Sequence, residues 1–140
     1  MATRQTMQRT MSGSRPLARP TTWVGAALLV VIAVIHVAVY VGFQLTVGYP
    51  GGLFLLNAAA AIVLAAGIVG GLRLAWHLGA LFAAGTIVAF IVVHTIGLPG
   101  FYLESWIESV GGVPLGPLSL VVEVAFLVTY ALSFAGRRAR

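Results

Sequence analysis

Few of the 140 side chains combine chemical reactivity with apolar surroundings: His36, Asn57, His94 and Glu123 each stand inside a run of Val, Leu, Ile, Ala and Gly. Two imidazoles and a carboxyl could relay a proton or grip a small polar ligand. They could also hold a divalent metal such as iron or zinc. Helical spacing gathers further polar groups around them. His36, Tyr40 and Gln44 recur every fourth residue, as do Thr86, Phe90 and His94, and Ser119 stands one turn before Glu123. Tyr40 and Ser119 therefore join the four as candidates for ligand binding or proton relay. The chain has no cysteine, which excludes disulfides, thiolate metal sites and Cys nucleophiles. No phosphate loop, dinucleotide fingerprint, zinc-protease motif or Ser-His-Asp set occurs. The residues thus point to a non-enzymatic binding site, with no catalytic residue and no cofactor expected. The plainer reading is that the same groups only hydrogen-bond across helices and fix their register.

The elements that must position these residues follow from composition. Hydrophobic residues make up 60% of the chain, charged residues 8%, and the mean hydropathy is +1.04. A soluble domain carries about 25% charged residues, so lipid is the natural solvent for this chain. Apolar runs over about 22–43, 52–72, 74–98 and 117–135 are each long enough to cross a bilayer as a helix. Barrel strands would alternate over about 10 residues, and these runs do not. The first run is too long for the apolar core of a cleaved signal peptide. The expected fold is all-α: a transmembrane four-helix bundle, up-down-up-down, spanning 21–136. A disordered tail over 1–20 precedes it and a basic tail over 137–140 follows.

The net charge of +5 does not describe a nucleic-acid surface, because no lysine occurs and the arginines flank the spans. Arg4, Arg9, Arg15, Arg19, Arg73, Arg137, Arg138 and Arg140 all fall on one side of a four-pass chain. The positive-inside rule then places both termini in the cytoplasm of a multi-pass cell-membrane protein. The opposite side receives 44–51, read as a turn around Tyr49, Pro50 and Gly51, and the longer connection over 98–116. Within the latter, FYLESWIESV over 101–110 reads as a short amphipathic helix at the outer interface, or as a lid carrying Glu104 and Glu108.

Depth places one polar residue of each span in the outer half of the bundle, with His36 and Glu123 both about 10 Å below the boundary. His36 is therefore the expected partner of Glu123. His36 and His94 differ in depth by about three residues on this count, which disfavours a haem held between them. Tyr130 and Thr129 fall in the inner half, and His77 reads as an interfacial residue beside Trp76. Small residues at four-residue intervals, Gly67/Gly71, Gly79/Ala83, Ala80/Ala84 and Gly85/Ala89, would let helix backbones approach within the bundle. His-x5-Gly-Phe occurs at both His36–Phe43 and His94–Phe101, a faint sign of two related hairpins.

HTIGLPG over 94–100, PLGPLSLVVE over 114–123 and GLFLLN over 52–57 together resemble an uncharacterised family of small four-span prokaryotic integral membrane proteins. In that family a Thr-x-Gly-Leu-Pro-Gly segment precedes a helix with Ser-Leu-Val-x-Glu. The resemblance covers roughly 24–135. It implies the four-helix architecture, draws attention to Asn57, Gly97, Pro99 and Glu123, and implies no reaction. Three functions stay open: an outer-leaflet pocket that binds or passes a small polar ligand or proton, an accessory subunit of a membrane complex, and a metal- or haem-binding redox protein. The last would use His36, His94 and Glu123. The bilayer is the one partner composition demands, and a homo-oligomer or larger complex stays open beside it.

Overall fold

Long apolar runs without an interior proline become helices, and prolines gather at their starts. Pro20 opens the first helix, Pro50 sits in the first turn of the second and Pro117 in that of the fourth, where a missing N–H costs least. A computed structural model describes residues 20–45, 48–97 and 109–138. These residues form α1 (Pro20–Gly42), α2 (Tyr49–Val69), α3 (Arg73–Thr95) and α4 (Leu115–Arg138). All four are long and apolar enough to cross a membrane. The expected N-terminal tail lies outside the described residues except for Pro20, and the segment 101–110 except for Ser109 and Val110. Gly100 and Phe101 of the second His-x5-Gly-Phe copy, and Pro99, lie outside them too.

Three boundaries correct the sequence reading. Tyr49, Pro50 and Gly51 are not a turn but the start of α2, because proline is pre-organised for a first helical turn. Gln44 leaves the His36–Tyr40 row: α1 ends at Gly42, and Gln44 takes a left-handed conformation (φ 51°). Amide bonds from Gln44 to Val41 and from Leu45 to Tyr40 close that end. Gly71 likewise lies past α2, at φ 79°, while Leu72 N–H bonds Gly67 and Gly71 N–H bonds Ile68. Gly71 therefore belongs to the helix stop, whereas Gly67 lets α3 approach, since a Cβ there would overlap Ala75.

Short links make α1–α2 and α2–α3 antiparallel, and contacts run round the ring α1–α2, α2–α3, α3–α4 and α4–α1. One end of the bundle carries the chain termini and Arg73 (the arginine end). The other carries the α1–α2 and α3–α4 connections (the far end). At the far end Val110 and Val113 exchange backbone hydrogen bonds around Gly111 and Gly112, both at positive φ. Val110 folds onto Gly42, where a Cβ would overlap it.

Side-chain size is sorted as packing in lipid requires. Ala26, Ala33, Ala58, Ala61, Ala65, Ala75 and Ala83 face inward, while Val34, Leu56, Val63, Leu81, Val121 and Leu132 face outward. Toward the arginine half, Trp76 stacks on Phe126 (centroids 5.8 Å apart) over Leu29, Ile32 and Ile68, all wholly buried except Trp76 at 8%. Gly25 and Gly79 make room for these rings, since a Cβ at either would overlap Trp76 or Phe126 respectively. Ala75, Gly79 and Ala83 form the inward stripe of α3. Gly85 instead is exposed, and a methyl group placed on it would meet nothing within 4 Å.

Gly25→Val is expected to lower unfolding stability in detergent by about 1–3 kcal/mol, the usual cost of overpacking. Gly85→Ala should leave it unchanged or slightly higher. Denaturant titration followed by circular dichroism reads both.

Candidate polar site in the membrane interior

Glu123 lies on α4 about 12 Å from its far-end start, at a helical rise of 1.5 Å per residue. It is 2% exposed. Ser119, one turn earlier, donates its hydroxyl to Glu123 Oε1 at 3.0 Å. From α3, Thr86 stands beside the same carboxyl. Thr86 is also bonded to its own helix, its Oγ1 donating to the carbonyls of Ala83 (2.9 Å) and Phe82 (3.2 Å).

Donor counting allows one arrangement of this group without formal charge. A threonine hydroxyl has one proton and two lone pairs. With its proton directed to the α3 backbone, Thr86 would face Glu123 as an acceptor, the role that a protonated carboxyl complements. Oε1 then accepts from Ser119 and the second oxygen carries the proton toward Thr86. Arg73 is no counter-ion, since it opens α3 about 20 Å along the helix from Thr86. A neutral carboxylic acid between two hydroxyls satisfies every bond in the set.

The other candidates share this half of the bundle without joining that set. His36 is 6% exposed and tilts against Phe54 of α2 with centroids 5.7 Å apart. Its Nδ1 donates to the Ile32 carbonyl at 2.9 Å, which leaves Nε2 as the second ring position. The expected His36–Glu123 pair is therefore not made: equal depth does not fix rotation, and α1 turns this ring toward α2. Asn57 is half-buried on α2 at about the depth of Glu123. Tyr40 is half-buried and packs over Gly51 at the start of α2.

His94 sits at the last turn of α3, shallower than the sequence count places it, because α3 stops at Thr95. Its Nδ1 donates to Phe90 at 2.8 Å, and the two rings stack at 4.0 Å. Among the described residues no three His or acidic side chains come together as a metal site, so His36, His94 and Glu123 do not form one ligand set.

Sequence reasoning misses two features. Thr86 stands in a recognisable row, but nothing in that row signals contact with α4. His77 does not merely flank Trp76: its Nδ1 lies 2.8 Å from the Tyr130 hydroxyl, joining α3 to α4. Comparison of the chain with protein-family models, curated proteins and solved structures found no match.

Because glutamine carries a donor and an acceptor in the same shape, Glu123→Gln should fold with stability within about 1 kcal/mol of the natural chain. Thr86→Val removes the acceptor for the buried proton and should cost about 1–3 kcal/mol. Equilibrium unfolding of the two variants in one detergent gives the comparison, and a Gln variant less stable than the Val variant contradicts the neutral-acid arrangement.

Proposed function

We propose that this multi-pass membrane protein binds a proton, or a small polar ligand competing for the same hydrogen bonds, at Glu123 in the outer half of the bilayer. The observation that carries the reading is a wholly buried carboxyl with the Ser119 hydroxyl bonded to it and the Thr86 hydroxyl beside it. Hydroxyls can follow a change of protonation by rotating, where an ion pair would lock the charge. Insertion of a charged side chain at mid-membrane costs about 2.5–3.5 kcal/mol, so intramembrane carboxyls are retained chiefly where they have work to do.

The two halves of the bundle differ, which argues for binding over free passage. Between Glu123 and the arginine end stands the Trp76–Phe126 stack with Leu29, Ile32 and Ile68. Toward the far end the bundle carries Ser119, Asn57, His36 and Tyr40, with His94 at the rim. With the arginines in the cytoplasm by the positive-inside rule, the site communicates with the outer side.

A hydrophobic carbodiimide reacts with protonated carboxyls and tests this directly. In proteoliposomes, peptide mapping by mass spectrometry should find the adduct at Glu123, absent from Glu123→Gln. Labelling should slow when the pH is raised on the far-end side only. An unlabelled Glu123, or labelling that follows pH on the arginine side alone, contradicts the reading. Should Glu123→Gln fail to fold, the carboxyl serves the bundle's packing, as expected of an accessory subunit.

A further inference from the structure

We infer that the α3–α4 seam at the arginine end is a binding site for the headgroup of an anionic phospholipid. Four observations converge on it. First, His77 and Tyr130 bond across the seam at 2.8 Å, and Phe134 packs against both rings, at 5.0 Å from His77 and 4.9 Å from Tyr130. Second, Arg73 precedes His77 by one turn on α3, and both are exposed. Third, α4 continues as helix past Phe134 to Arg138, which places the Arg137 and Arg138 backbone positions one turn beyond that ring. Fourth, among the described residues no acidic side chain lies at this end, Glu123 being buried in the far half.

The His77–Tyr130 bond makes this more than diffuse positive charge. If the tyrosine hydroxyl donates to Nδ1, Nε2 of a neutral imidazole carries the remaining hydrogen. If Nδ1 donates instead, the hydroxyl proton is the one left over. Either way the pair keeps one proton donor for an outside acceptor. His77 stands about 6 Å into α3, the depth of the headgroup region, where aromatic side chains gather and exposed Trp23 marks the same level on α1. A lipid phosphate at this height can accept from the pair and neutralise Arg73, while its acyl chains lie along the exposed apolar faces below. This site is independent of Glu123.

The test uses the full chain in nanodiscs of phosphatidylcholine with a minor fraction of phosphatidylglycerol, followed by native mass spectrometry of the lipids retained. The natural chain should retain phosphatidylglycerol well above its bulk fraction. Arg73→Gln should reduce that enrichment about fivefold, the fold-change equivalent to about 1 kcal/mol for one arginine near an anionic surface. Tyr130→Phe keeps every charge and the ring packing, and should also reduce the enrichment. If Tyr130→Phe retains as much phosphatidylglycerol as the natural chain, the binding is diffuse electrostatics and the site is refuted. Equal retention of both lipids by the natural chain refutes it as well. Inorganic phosphate added to chain in pure phosphatidylcholine should not raise thermal stability; a rise would identify a free-phosphate site and overturn the lipid assignment.

Discussion

In a hydrocarbon solvent a carboxyl group has no water to fall back on, and every hydrogen bond it makes must come from the protein. The arrangement around Glu123 follows from that constraint. Ser119 supplies a donor from the preceding turn, and Thr86 of α3 stands beside the carboxyl with its Oγ1 on the α3 backbone carbonyls. Thr86 and Glu123 thus bring α3 and α4 together at the depth where lipid would tolerate a charge least. The same tie recurs near the membrane surface, where His77 and Tyr130 join the same two helices.

Packing gives the bundle a direction. Alanines and glycines on the inward faces draw the backbones together, and the space they leave on the arginine side is filled by Trp76 and Phe126. Trp76 reaches across from α3 to Gly25 of α1, so one ring seals the arginine half of the bundle. On the other side of that seal His36 and Glu123 stand buried among apolar neighbours. A bundle that only held its shape could carry apolar layers throughout. The change from a dry aromatic layer to a hydroxyl-lined carboxyl within two or three turns is what makes one half a candidate site and the other a barrier.

Much of this is legible in the sequence, and the misses share a cause. Four spans, their approximate bounds and the burial of Glu123 follow from apolar run length and the cost of charge in lipid. Ser119 with Glu123 follows from helical spacing within one element. Contacts between helices depend on rotation about each axis, which depth counting does not supply. Hence depth pairs His36 with Glu123 although its ring turns to Phe54, and gives Thr86 no role although it stands beside the carboxyl. Helix ends fail for a different reason. Tyr49-Pro50-Gly51 has the composition of a turn and the geometry of a helix start, whereas Gly71 has GxxxG spacing and a positive φ that ends the helix.

The central claim is that Glu123 is a neutral acid inside the membrane, in exchange with water on one side. Infrared spectroscopy of the reconstituted chain addresses it most directly. At neutral pH the spectrum should contain the carbonyl band of a protonated carboxylic acid that shifts in deuterated water and is absent from Glu123→Gln. A spectrum in which Glu123 contributes only carboxylate bands at neutral pH would contradict the account.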